Sequence, residues 1–176
     1  MSESAEPVTP PQTTAKAVVL LALAGLFAYY NSLHGAFVFD DMRFVSDPNL
    51  GRPFASSMVA RPVVALSLSA NFWLDGLNPR GYHLVNLAVH VLGAVVLFDL
   101  VRRTLLLPRF GERFGPVAAW WVGLATAAVW MVHPLNTQSV TYVVQRCESM
   151  MGVFFLVSVW CFLRGVLVGQ IGRAHV

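Results

Sequence analysis

The chain has 176 residues, of which 56% are hydrophobic and only 12% charged, and its mean hydropathy is +0.62. A soluble domain carries about 25% charged residues, so the composition excludes a soluble globular enzyme and indicates an all-α, polytopic integral membrane protein. The net charge of +3 is too small and too scattered to call for a nucleic-acid partner.

Residues 1–15 are rich in Pro, Ser and Thr and read as a disordered cytoplasmic tail, followed by a membrane domain over residues 16–170. The first span runs from Ala17 to about Phe37 and is an uncleaved anchor, since no basic n-region or small-residue cleavage site accompanies it. From Ala17 to Phe39 there are 23 residues without a charge, bounded by Lys16 and by the pair Asp40-Asp41. About 20 apolar residues cross a bilayer, so the two acids lie where the helix leaves the membrane. Adjacent carboxylates repel each other at a low-dielectric boundary. They suit a general base or a cation ligand, or else solvated acids that cap the next turn.

The loop that follows, Asn31 to Arg80, is more than coil. Arg61-Pro62 opens a charge-free run of 13 residues, Pro62 to Leu74, too short to span. Pro favours a first helical position. The run is either a short helix along the membrane surface, with Phe72 and Trp73 at the interface, or a partly buried re-entrant turn. The second span, Gly81 to Phe98, carries His83, Asn86 and His90 at i, i+3 and i+7, on one narrow helical face. Polar groups inside a membrane helix hydrogen-bond to other helices or line a wet cavity.

Arg102, Arg103, Arg109 and Arg113 face only Glu112 in the next loop. The positive-inside rule places that loop and the N-terminus in the cytoplasm, and the Asp40 and His133 stretches on the opposite side. The charge-free stretch from Phe114 to Gln145, 32 residues long, exceeds one span. A third helix from Pro116 is expected to end near Val132, at His133-Pro134, and a fourth to begin around Ser149. Arg146 and Glu148 sit at the start of that fourth helix. An Arg above the hydrocarbon can hold a phosphate with its fork of donors, or snorkel without a ligand. Cys147 and Cys161 lie 14 residues apart on one helix, about 21 Å at ~1.5 Å per residue, and cannot form a disulfide.

Three blocks, FVFDD (Phe37 to Asp41), RPVVALSLSANFWLDGLNPRGYHLVNLAVH (Arg61 to His90) and HPLNTQSVTYVVQRCES (His133 to Ser149), together resemble the N-terminal part of the transmembrane and tetratricopeptide-repeat O-mannosyltransferase family, in its bacterial form. The resemblance implies a GT-C glycosyltransferase that moves a sugar, mannose, from a polyprenyl-phosphate donor to a Ser/Thr hydroxyl of a protein acceptor. It implies a bacterial inner membrane, with the active face periplasmic or extracellular. It assigns the catalytic base to Asp40 or Asp41 and leaving-group stabilisation to an arginine such as Arg146 or Arg61; with His83, Asn86, His90, His133 and Glu148 on the same outer face, these arginines make up the candidate substrate-binding residues. No metal site or cofactor is required, because arginine can offset the charge of a monophosphate; a divalent cation on the acidic pair is compatible with the scheme. Membrane lipid is the remaining partner.

Gln138 departs from the Glu expected in the family at that position, and no 34-residue repeat is visible. Four spans are fewer than the family's ten or more, so the chain is expected to be an N-terminal fragment that is inactive alone. The ending Ile171 to Val176 reads as translated sequencing adapter. The alternative to an enzyme is a non-catalytic membrane anchor or scaffold that keeps the fold.

Overall fold

The computed structural model describes residues 13–167, and no strand occurs among them. Helix α1 covers Thr14–Tyr29 and continues as a 3-10 turn, Tyr30–His34. Short α2 is Asp41–Val45, α3 is Pro62–Asp75 and α4 is Pro79–Leu105. Helix α5 is Pro108–Met131, a 3-10 turn follows at Pro134–Asn136, then α6, Thr137–Thr141, and α7, Arg146–Leu167. Four of these, α1 with its 3-10 extension, α4, α5 and α7, are long and apolar enough to cross a membrane. The molecule is a polytopic helical bundle.

Local chemistry explains the boundaries. The Oγ1 of Thr13 accepts from the Lys16 N–H at 3.3 Å and caps α1, a common N-cap arrangement. The cap places Thr14 and Ala15 in the helix, while the rest of the expected tail lies outside the described residues. Asn78 caps α4 in the same manner, its Oδ1 accepting from Arg80 N–H at 3.2 Å, with Pro79 at the first helical position. The second span is therefore longer than Gly81 to Phe98. Asp99 does not end it, because Arg102 and Arg103 neutralise that carboxylate from within the same helix, at 2.7 and 2.5 Å.

Helix α5 breaks at Gly115, whose φ of 63° and ψ of 170° no neighbouring helical residue shares. The apolar stretch after the break starts at Pro116, as expected, and the helix ends with Val132 as C-cap. The fourth helix starts three residues earlier than Ser149, at Arg146, for a reason that belongs to the site below. The expected segment Ile171 to Val176 lies outside the described residues.

Helix α4 is central and packs on α1, α5 and α7. Its core with α1 and α5 comprises Ala17, Leu21, Ala94, Phe98, Trp120, Ala127 and Met131. Close approach there depends on Gly123, where a Cβ would stand 3.0 Å from the Phe98 carbonyl oxygen; small residues at such crossings are typical of membrane helices. A second core gathers the first loop against α3 and the start of α4. It joins Phe44 and Leu50 of the first loop to Val64 and Leu68 of α3, Tyr82 of α4 and Val143. The expected short helix Pro62 to Leu74 is thus present as α3, buried on one face through Val64, Ala65 and Leu68 and exposed at Val63, Trp73 and Leu74. The two cysteines are free; Cys161 is exposed on α7.

Candidate active site

The acidic pair divides its work. Phe39 holds a positive φ of 50°, a left-handed conformation that is uncommon for a bulky residue. After this turn Asp40 takes helical angles and Asp41 opens α2, so the two side chains stand about 100° apart around the helix axis. Asp41 points inward and is 0% exposed. Its Oδ1 accepts from Val144 N–H at 2.8 Å, and its Oδ2 accepts from Val143 N–H at 3.1 Å and from Val38 N–H at 3.4 Å. These contacts tie the first loop to the α6–α7 connection, across about a hundred residues. Asp40 instead is exposed and lines an open cavity of about 760 Å³. The two carboxylates do not present a paired site.

Arg43, one turn after Asp40 on α2, shares that cavity, as do Asp47, Asn49, Ser56, Ser57 and Arg61. Asp47 is fixed by its surroundings: Oδ2 accepts from Ser57 N–H at 2.6 Å and Oδ1 from Asn49 N–H at 2.9 Å. The Ser57 N–H foremost, with the Asn49 N–H after burial's opposing effect, holds the Asp47 carboxyl below its ordinary pKa. Hydrogen bonds to the charged form act in that direction. Arg61 precedes α3 and donates from a terminal nitrogen to Cys147 Sγ at 3.2 Å. It also borders a second, apolar groove of about 400 Å³ between α3 and α7, lined by Val63, Val64, Met150, Met151 and Phe154, with Glu148 at its edge. A polar cavity and an apolar groove therefore meet at one arginine.

Beneath the cavity lies a buried polar core. Arg146 is 0% exposed. It donates from Nε to Asn86 Oδ1 at 2.7 Å, and from its two terminal nitrogens to Ser67 Oγ at 3.2 Å and the Tyr82 carbonyl at 3.1 Å. Its guanidinium also sits over the Tyr82 ring, 5.9 Å from the centroid. Asn86 Nδ2 donates to the Tyr142 carbonyl at 2.9 Å. Arg146 thus holds the first turn of α7 against α4, which is why that helix begins at Arg146. It does not line the cavity.

The remaining predicted residues separate. His83 is buried, without a well-formed hydrogen bond at either ring nitrogen; its Nε2 would lie 3.3 Å from a Cβ added at Gly35. His90 is buried, with Nε2 2.9 Å from the Met131 carbonyl. Tyr29 donates its hydroxyl to the same oxygen at 2.9 Å, and Trp130 stacks on the imidazole at 4.7 Å. The His83/Asn86/His90 face is therefore turned into the bundle, where Asn86 and His90 tie helices together. His133 is exposed and caps the Pro134–Asn136 turn, its Nδ1 accepting from Leu135 N–H at 3.3 Å, beside an apolar cleft that contains no residue of the Asp40 cavity. Of the residues expected to form a site, the structure places Asp40 and Arg61 in one cavity, with Glu148 on the adjoining groove. Arg43 and Asp47 went unnoticed in the sequence, although Arg43 follows Asp40 at i+3, the spacing of same-face helical neighbours. Among the described residues, no group of three or more His, Cys, Asp or Glu side chains converges as a metal site.

Neither a family model nor a solved structure matches the chain. Curated proteins do. Protein O-mannosyl-transferase Tmtc1 of Drosophila melanogaster is 31% identical over 172 residues, covering 84% of this chain and 19% of its own length. Protein O-mannosyl-transferase TMTC3 of Mus musculus is 31% identical across 80% of this chain and 16% of its own. Protein O-mannosyl-transferase tmtc2 of Xenopus laevis is 31% identical across 84% of this chain and 18% of its own. The chain spans about a fifth of the length of these relatives. Over most of its own length it is a homologue of the protein O-mannosyl-transferases of the TMTC type.

Proposed function

We propose that the chain forms the acid-bearing part of a GT-C type glycosyltransferase that moves mannose from a polyprenyl phosphate to a protein Ser/Thr hydroxyl. The observation that carries this reading is the junction at Arg61: an open polar cavity holding Asp40, Arg43 and Arg61 meets an apolar groove between α3 and α7. A donor with a sugar, a phosphate and a long hydrocarbon tail needs those three environments in that order. The tail would follow Val63, Met151 and Phe154, and the phosphate would lie between Arg61 and Arg43.

In the step itself, Asp40 takes the proton of the acceptor hydroxyl as that oxygen attacks the anomeric carbon. The bond from that carbon to the phosphate oxygen breaks, and the polyprenyl phosphate leaves with the electron pair. Arg61 and Arg43 offset the charge that develops on the leaving oxygen, the kind of preorganised electrostatic support that lowers such barriers. Asp41, Asn86 and Arg146 act as positioning residues that fix the cavity's floor. The arginines that flank the α4–α5 connection, Arg102, Arg103, Arg109 and Arg113, support an orientation with Asp40 on the non-cytoplasmic face, periplasmic in a bacterial inner membrane.

Transfer from a polyprenyl-phosphate mannose to a Ser/Thr peptide, measured in membranes that contain the complete gene product, tests the reading. Asp40→Asn should lower the rate 10²- to 10⁴-fold, the usual cost of losing a general base, with the protein still inserted. Arg61→Gln should raise the donor KM. A parental rate for Asp40→Asn would make the chain a membrane scaffold instead.

A further inference from the structure

At the opposite end of the bundle, two arginines hold one carboxylate and a third lies over the tryptophan that the carboxylate binds. Asp99 on α4 accepts from Arg102 at 2.7 Å and from Arg103 at 2.5 Å, and its Oδ2 also accepts from Trp160 Nε1 of α7 at 2.8 Å. The Trp160 ring has Arg103 within 5.9 Å of its centroid and Arg164 within 5.3 Å. Side-chain exposures are only 22% for Arg102, 28% for Arg103 and 12% for Asp99. Arg102 leaves a buried Nε–H without an acceptor, and Arg164 has no carboxylate partner among the described residues. The cluster therefore holds two more positive charges than negative ones; Arg102 and Arg103 are partly withdrawn from water, and Arg164 stands exposed beside them. Arginine's fork of donors is suited to phosphate oxygens.

Such an excess calls for an anion from outside the protein. Helix α7 runs 18 residues from Arg146 to Arg164, so this cluster lies about 27 Å along the helix from the buried arginine at the other end, at ~1.5 Å per residue. That distance is close to the hydrocarbon thickness of a bilayer, which sets the cluster at a headgroup level. The abundant anions at that depth are lipid phosphates, and basic pockets between membrane helices are known to take them. We propose that Arg103 and Arg164, which both lie over the Trp160 ring where α4 meets α7, bind the phosphate of one anionic phospholipid. Lipid would then offset one of the two positive charges that Asp99 leaves uncompensated, and would couple α7 to α4 at the end remote from Asp40.

Native mass spectrometry of the purified chain, with phosphatidylglycerol offered against phosphatidylcholine, tests the assignment. One phosphatidylglycerol should be retained in preference to phosphatidylcholine, and millimolar glycerol phosphate should not displace it. Each charge near a headgroup surface changes affinity about fivefold, so Arg103→Gln with Arg164→Gln should lose about 25-fold. Arg164→Gln alone should lose about fivefold; this residue is exposed and has no hydrogen-bond partner to forfeit, so the variant serves even if the double one fails to fold. Arg109→Gln with Arg113→Gln, both exposed in the first turns of α5, should retain the lipid. Equal retention of the two lipids, unchanged binding in Arg164→Gln, or an equal loss in the Arg109/Arg113 variant would overturn the site. Displacement by glycerol phosphate would overturn its assignment to lipid.

Discussion

Arg146 donates from Nε to Oδ1 of Asn86 at 2.7 Å, joining the first turn of α7 to α4 through two side chains that are both 0% exposed. No carboxylate forms an ion pair with this arginine among the described residues. Its charge is accommodated by an amide, a hydroxyl and a peptide carbonyl. Removing the amide leaves a buried charge short of an acceptor, and breaking a buried charged contact from one side typically costs about 3–5 kcal/mol. Asn86→Leu should therefore destabilise the protein by about that amount. Asn86→Leu combined with Arg146→Met should cost much less than the two single changes added, since neighbours in one network are not additive. Thermal unfolding of the four proteins in detergent measures the coupling; strict additivity would contradict the network.

Asp40 and Asp41 should fail in different assays. Asp41→Asn keeps one acceptor oxygen and puts a donor against a backbone N–H, so it should cost about 1–3 kcal/mol of stability. It should also speed hydrogen exchange at Val143 and Val144. Asp40→Asn should leave both unchanged and affect only sugar transfer. Exchange rates at those two amides in each variant distinguish the roles.

The loop around Asp47 should respond to acid. Its carboxyl sits below the ordinary value because Ser57 and Asn49 donate to the charged form. A depressed folded pKa means stability that is present above the unfolded value, 3.8, and lost as pH falls through the folded one. The amide resonances of Ser57 and Asn49 should hold constant from pH 5 to 8 and shift only in the acid range below about pH 4. Asp47→Asn should abolish that shift. A transition at neutral pH would point to another group.

Phe39 carries φ of 50° and packs its ring against Tyr142, centroids 5.8 Å apart. Phe39→Gly frees the backbone from strain of about 1 kcal/mol while losing that contact, so stability should change little. Phe39→Val should be costly, because a β-branched residue resists this conformation. Equal stability of the Gly and Val variants would show that the positive φ is not required.

Membrane labelling checks the orientation. Cysteines placed at exposed Ser57 and at exposed Arg109 should be modified from opposite sides of the bilayer, with Arg109→Cys reached from the cytoplasm. Labelling of both from one side would contradict the four-span arrangement.

The spans were legible because hydropathy and charge are one-dimensional signals. Pro116 and His133-Pro134 marked real breaks, and Arg61-Pro62 a real helix start. The grouping of site residues was less legible. His83, Asn86 and His90 share a face in the sequence and in the fold, yet periodicity does not state whether such a face meets a cavity or another helix. Asn86 meets Tyr142 and Arg146, contacts set by how α6 and α7 return to α4. Asp40 and Asp41 look equivalent as a pair; the helical step at the start of α2 separates them, and only the return of the α6–α7 connection decides which one meets Val143 and Val144. Arg43 gives no signal in the sequence because α2, with 5 residues, is too short for periodicity to show.

The carboxylate of Asp41 has a mechanical consequence. Its bonds to Val143 and Val144 clamp one wall of the cavity to the root of α7, and Arg146 clamps that root to α4. This wall cannot swing without breaking buried bonds on two helices at once. The opposite wall, residues 47 to 60, is a succession of turns held by Asp47 and Ser56 and tied to α3 through the Leu50 and Gly51 carbonyls. Asp40, seated on the doubly clamped wall, thereby holds a fixed aim on whatever the cavity admits.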